Sequence, residues 1–304
     1  MDSLVGSRYL IRCAYAKSTM RKYDRAVSDF VLWSRTNHAS ARSTQELDEL
    51  LCDYIYYLYE EGMGRAKALD SIYGLVALFP AWRYSFPAAL LSIRGWARLA
   101  PSVPYPPLTW DLSVLLACQL VKMGHDRLAL GLLLSFDCLL RINELLGIRL
   151  EDVAVPCDPR LGVLGSVVRI RLKHTKTGKH QWVEVRSNFI TDWLISAVRA
   201  SEAQASLFPY IASVARGLFK QALLAVGMPL TYVPHSLRHG GATALHLAGI
   251  SLEDILLRGR WASVKSARNY IQVGKALLLD MKVEPGVLMR ARAAADHIRS
   301  FYPT

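Results

Sequence analysis

Cysteine is sparse in this 304-residue chain and follows no pattern. The five cysteines, Cys13, Cys52, Cys118, Cys138 and Cys157, are odd in number and scattered, and none falls in a CxxC or Cys/His metal spacing. That argues against a disulfide framework and against a metal centre, and the thiols read as reduced and partly buried. Long apolar runs are missing too: the most hydrophobic stretch, Leu128 to Leu140, is too short to span a bilayer and carries Asp137. The N-terminus has no signal-peptide h-region, so the expectation is an intracellular chain with no membrane partner. Low-complexity tracts and fixed-period repeats are absent, which excludes a disordered or solenoid protein. Acid is the scarcer charge, with 25 Asp and Glu against 37 Lys and Arg, a formal net charge of +12. Such an excess favours a polyanionic partner, because cationic side chains near phosphates release condensed counterions, and nucleic acid leads among the candidates.

What is present is mostly helix. The first hundred residues read as four helices. One follows Ser18 as a possible cap, with Met20, Tyr23, Val27, Phe30 and Val31 on one face. The next opens on a capping box, Ser43 and Glu46, and carries Leu47, Leu50, Leu51, Tyr54, Ile55 and Leu58. A third runs from about Arg65 to Phe79, and a fourth follows Pro87 through Leu91 and Trp96. The segment PSVPYPP, Pro101 to Pro107, then holds four prolines in seven positions and suits a stiff connector. The expected organisation is an all-helical domain over residues 1–100, a Pro-rich linker over 101–108 and a second domain over 109–304.

The second domain is expected to be mainly α with one small antiparallel sheet. Thr109 caps a helix to about Met123, and a very apolar helix runs from His125 to about Leu140. The β signal is GSVVRIRLKHTKTGKHQWVEVR, where alternating residues flank a turn around Thr177 and Gly178. Helical segments return near Phe189–Ala203, Ile211–Val226 and Ser236–Ala248, and Ser251 with Asp254 caps a short helix. Positive charge gathers in two strips: one around Arg21, Lys22 and Arg25, the other in the hairpin at Arg169, Arg171, Lys173, Lys176 and Lys179. Each domain thereby has a candidate strip of phosphate contacts, although a solvated helix face accounts equally well for the first.

Three segments interrupt apolar helical patterns with strongly polar residues. In CLLRINELLGIRLEDV, Arg141 follows a run of leucines and Glu144 sits one turn on, placed to orient the guanidinium. In HSLRHGGATALHLAG, His235, Arg238 and His239 fall within one helical turn. A guanidinium fork and an imidazole on one face suit a phosphodiester: the fork pairs two oxygens and the imidazole moves a proton. In RGRWASVKSARNYIQ, Trp261 precedes Tyr270 by nine positions. Taken singly, each has a plain structural explanation: an ion pair, a core histidine, a packed aromatic.

Arg141, a hairpin lysine, His-x-x-Arg, Trp and Tyr in this order resemble the catalytic domain of the tyrosine recombinases, the phage-integrase family. By motif the resemblance covers about Thr109 to Lys275, and the helical first half is similar to the family's core-binding domain in general character. It implies that Arg141 and Arg238 hold the scissile phosphate, that Glu144 supports them, and that His235 handles the proton beside the nucleophile. Trp261 would donate its indole N–H to phosphate and Tyr270 would attack. Lys176 is taken as the general acid from its HTKTG context, with Lys173 as the alternative. His239 is expected to pack or to make an accessory hydrogen bond.

A phenol whose pKa is about 10 when unperturbed needs nearby cations to favour phenolate, and the departing 5′-oxygen needs an acid. The resemblance therefore implies a site-specific recombinase or integrase that works on double-stranded DNA through a 3′-phosphotyrosyl link, without metal or cofactor. A homo-tetramer on paired sites is implied as well, located in the nucleus of a eukaryote or in the cytoplasm or nucleoid of a prokaryote or phage. The competing readings are a catalytically retired DNA-binding relative, a topoisomerase- or resolvase-like enzyme, and a helical scaffold whose basic face binds RNA. The stretches GGATALHLAG and RGRWASVKSARN depart from what many prokaryotic members carry.

Overall fold

The computed structural model describes residues 9–101, 105–156, 167–175, 179–201, 206–271 and 283–301. The chain separates into two compact units, Met1–Val103 and Pro104–Thr304.

Among its described residues the first unit has helix and no strand, its main helices being α1 (Lys17–Thr36), α2 (Thr44–Glu60), α3 (Arg65–Leu78) and α4 (Pro87–Leu99). Its starts are local chemistry. Ser43 accepts from the Glu46 N–H, and Pro87 occupies the first turn of α4, where a missing N–H costs nothing. The Ser18 cap does not form: α1 begins at Lys17, after Ala16, and has no side-chain cap. Helix α1 packs on α3, and α2 on α4. Between them lies an aromatic-rich core of Phe30, Leu51, Tyr54, Ile55, Leu58, Ile72, Phe86 and Trp96. One buried carboxylate, Asp48, accepts from the N–H groups of Ala88 and Ala89, both at 2.9 Å, and so caps the start of α4.

The second unit opens with an antiparallel pair, α5 (Trp110–Lys122), capped by Thr109, and α6 (Asp126–Asp137). A short helix α7 (Ile142–Leu146) comes next. Then come three strands, β1 (Val153–Ala154), β2 (Arg169–His174) and β3 (Lys179–Glu184), in an antiparallel sheet ordered β1-β2-β3. Register pairs Val153 with Ile170 and Arg171 with Trp182. The two-residue β1 is too short to leave a pattern in sequence. Helices α8 (Asn188–Arg199), α9 (Ala212–Val226), α10 (Pro234–Leu247), α11 (Leu252–Gly259), α12 (Val264–Arg268) and α13 (Pro285–Phe301) follow among the unit's described residues. Its core is leucine-rich and gathers α5, α6, the sheet, α8, α9 and α13. Val287, Ala291 and Ala295 bury the C-terminal helix in that same core, so α13 packs on its own unit. Leu277 and Leu278 lie outside the described residues.

The junction of α6 and α10 fixes the position of Arg238. Helix α6 stops at Asp137 rather than Leu140, because Leu139 takes a positive φ of 51°. Helix α10 carries Gly240 and Gly241 in mid-helix, where a Cβ would lie 1.7 Å from the Leu108 carbonyl oxygen and 2.1 Å from that of Phe136. Only glycine lets α10 sit this close to Leu108 and to α6, and these contacts set the depth at which Arg238 is held.

Candidate active site

Helix α10 begins at Pro234, with Val233 in extended backbone at its N-cap position. Its early residues His235, Arg238 and His239 stand three and four positions apart, so they share one face. Tyr270 follows α12, its carbonyl accepting from Thr243 of α10 at 3.3 Å. A small cluster of Leu139, Ala242, Ile255, Trp261 and Ala267 anchors this segment, with Tyr270 packed against it.

These placements bring five of the expected residues together. His235 Nε2 lies 3.2 Å from Tyr270 Oη. The His239 ring stacks on the Tyr270 ring at 4.5 Å, and Trp261 lies 4.7 Å from it on a tilted plane. The Arg238 guanidinium carbon is 4.6 Å from the Trp261 ring centre and 5.3 Å from that of Tyr270. Arg238 is wholly buried: its terminal nitrogens donate to the Leu139 and Gly259 carbonyls, and its Nε has no partner among the described residues. Trp261 folds back over Gly259, where a Cβ would meet the indole at 1.8 Å, and its buried Nε1 is also without a partner there. Orphaned buried donors are uncommon, and here two of them lie beside one tyrosine.

Arg141 and Glu144 complete the cluster. Arg141 Nη1 donates to Glu144 Oε1 at 2.6 Å, and its backbone N–H to Oε2 at 3.0 Å. Arg141 opens on a hollow of about 810 Å³, also lined by Glu144, His235, Tyr105, Thr175, Arg216 and Lys220. Burial and the charges of Arg238 and Arg141 push His235 down from its ordinary value to about 4, so the imidazole is neutral at neutral pH. Burial, then Arg141 and Arg260, lower Arg238 to about 9, which leaves it charged. Glu144 is held low: Arg260 and Arg141 outweigh the effect of its burial. The chemistry available is a phenol beside a neutral base, within a buried excess of positive charge.

Lys176 lies outside the described residues, and only the backbone of Lys179 is described. Lys173 pairs with Glu151 and is 3.5 Å from Asp152, Arg171 pairs with Asp152 at 3.0 Å, and Arg169 reaches Glu184 at 3.5 Å. The described hairpin cations are therefore balanced by carboxylates. Arg21, Lys22 and Arg25 are exposed on α1, with no ion pair among the described residues. Sequence reasoning passed over two places. Arg216 and Lys220 stand one turn apart on the exposed side of α9, a helix without a single acidic residue, and that absence was the available signal. The other omission is Arg260, which looks like one more basic residue in RGRW but is buried against Glu144.

Comparison with known proteins gives a sequence match to the phage integrase family over residues 115–276, more than half of the chain, from within α5 to just past Tyr270. The chain belongs to the phage integrase family. Site-specific recombination of DNA is the function this membership carries. Solved structures agree on the fold. The Tn1549 transposon integrase in complex with transposon right end DNA is 14% identical, with a TM-score of 0.62 over 88% of this chain and 95% of that one. A lambda integrase dimer bound to a COC′ core site is 15% identical, at 0.60 over 87% and 74%. The XerH recombinase bound to a palindromic difH substrate is 18% identical, at 0.57 over 79% and 71%. No curated protein matches the chain. Among the described residues no helix is long and apolar enough to cross a membrane.

Proposed function

We propose that this integrase-family chain breaks one DNA strand at a time by attack of Tyr270 Oη on a backbone phosphorus. The observation that carries the reading is the 3.2 Å approach of His235 Nε2 to Tyr270 Oη inside a cluster that also holds Arg141 and Arg238. In the step, the Oη–P bond forms, the P–O5′ bond breaks, the phenolic proton passes to neutral His235, and the 5′-oxygen takes a proton from a general acid. The products are a 3′-phosphotyrosyl link and a free 5′-hydroxyl, which on another strand reverses the step without ATP. Arg141 and Arg238 offset the charge that builds on the phosphate oxygens, a task that suits the fixed fork of donors on a guanidinium. Lys176 is the acid in this reading, because the alternative, Lys173, is already committed to Glu151 and Asp152.

One contact must change on the way. Arg238 lies under the rings of Tyr270 and Trp261, so phosphate reaches it only after that pair shifts, and a phosphate oxygen then gives the Trp261 N–H a partner. The first unit, as a core-binding domain, would present Arg21, Lys22 and Arg25 to the duplex. The second would add Arg169, Arg171 and Lys179 of the hairpin, and Arg216 and Lys220 of α9. A tetramer on two paired sites, in the nucleus or nucleoid where its DNA lies, is the assembly that the family implies.

The decisive experiment incubates the chain, in chelator, with a random-sequence library of nicked duplexes that trap cleavage. Wild type is expected to yield a denaturant-stable protein–DNA adduct, and Tyr270→Phe none. Equal behaviour of the two, or an adduct mapped to another residue, would overturn the reading, and sequencing the trapped DNA would reveal the target.

A further inference from the structure

The cluster holds three arginines and one carboxylate. Glu144 Oε1 is taken by Arg141 Nη1 at 2.6 Å, and Oε2 accepts from the Arg141 N–H at 3.0 Å and from Arg260 Nη2 at 2.9 Å. The third arginine, Arg238, stops short, its Nη1 being 3.9 Å from Oε2. Glu144 is thus about one ångström from a direct hydrogen-bonded ion pair with the residue that is to meet the phosphate, and Arg260 occupies the oxygen that would make it. Arg260 is buried, and it also donates to the Cys138, Arg258 and Leu139 carbonyls. Its backbone sits at φ 55°, the left-handed region that favours glycine, at the C-terminal end of α11. A glycine would fit that backbone without strain, so what arginine adds there lies in its side chain.

We infer that Arg260 is a positioning residue for strand cleavage: by holding Glu144 Oε2 and sharing the Leu139 carbonyl, it keeps the buried carboxylate from neutralising Arg238. Without it, Oε2 contracts onto Arg238 Nη1, and a guanidinium already paired with carboxylate gives up much of its attraction for phosphate. The effect falls on cleavage rather than on DNA affinity, because a fully buried guanidinium contributes little to the encounter with the duplex. The inference rests on the reading that Arg238 serves the scissile phosphate.

The test uses the full chain and the nicked duplex recovered with wild type. Arg260→Gly suits the backbone and is expected to bind that duplex within about twofold of wild type while forming the adduct roughly tenfold to a hundredfold more slowly. In a cycle with Glu144→Gln, the same glycine substitution should then cost less than about threefold, because an amide leaves the charge of Arg238 intact. Arg260→Lys, which keeps a cation near Oε2, should recover part of the rate and carries the same cycle should the glycine variant fail to fold. Wild-type adduct formation by Arg260→Gly, or losses that simply multiply in the cycle as a purely structural role requires, would overturn the inference alone. No adduct from wild type would overturn the reading of the site and this inference with it.

Discussion

The two units bury charge in opposite ways. In the first, the buried polar side chains among the described residues are Asp48 and Ser71, and each is spoken for by backbone: Asp48 by two N–H groups of α4, Ser71 by the carbonyls of Ala26 and Lys67. In the second, Glu144, Arg238, His239 and Arg260 are buried within one cluster, cations outnumber carboxylates, and Arg238 Nε and Trp261 Nε1 find no partner among the described residues. Burying a charge is costly unless it is paired, so an unbalanced cluster marks where a negative group is to arrive, while a balanced one marks structure. The same burial therefore has two meanings, and the difference lies in whether the partners are complete.

Substituting the central cation is the strongest test of that contrast. Arg238→Lys keeps a positive charge but loses the fork that bonds both Leu139 and Gly259. Single-turnover adduct formation should fall by about a hundredfold to a thousandfold, the scale seen when one transition-state donor is removed. A loss under about tenfold would mean that Arg238 is a structural tie, like Asp48.

Next in size is the contact that sets the depth of the cluster. A Cβ at Gly240 meets the Leu108 backbone carbonyl, which cannot rotate away as a side chain can. Gly240→Ala is expected to destabilise the second unit by about 1–3 kcal/mol through overpacking, read as a lower midpoint in denaturant. Asp48→Ala gives the first unit's counterpart. It strips two N–H groups at the start of α4 of their acceptor and should cost about 1–2 kcal/mol, with the cleavage rate of bound enzyme unchanged. A cleavage defect in Asp48→Ala at full occupancy would break the distinction between the two units.

What was legible in the sequence was what is local or periodic. Ser43, Thr109 and Ser251 cap the helices expected of them, since a cap needs only an oxygen and an N–H three residues on. The order of Arg141, His235, Arg238, Trp261 and Tyr270 was visible because polar residues interrupt apolar faces. The end of α6 was not. Leu128 to Leu140 reads as unbroken helix, but the Leu139 carbonyl is drawn to Arg238 and Arg260, about a hundred residues away in sequence, and the chain turns left-handed to meet them. Arg260 was missed for the same reason: its partners Glu144 and Cys138 are adjacent only in the fold. The burial of Arg238 beneath Tyr270 and Trp261 is likewise a tertiary fact, and no spacing reports it.

The smallest expected effect is a displacement along the pH axis, and it refines the idea of an incomplete cluster. His235 is held near 4 by burial and by Arg238 and Arg141, below the 6.5 of an unperturbed histidine. A folded-state value depressed in this way favours the neutral ring, so the stability it contributes is present above pH 6.5 and is lost as pH falls toward 4. In the free protein, the His235 ring should therefore titrate near 4 by NMR. A bound phosphate brings the negative charge that the cluster lacks and must raise that value, so adduct formation at saturating DNA should lose its base at a pH between 4 and 6.5, above the free-protein midpoint. If the two midpoints coincide, the phosphate does not complete the cluster, and the excess of positive charge around Tyr270 has some other purpose.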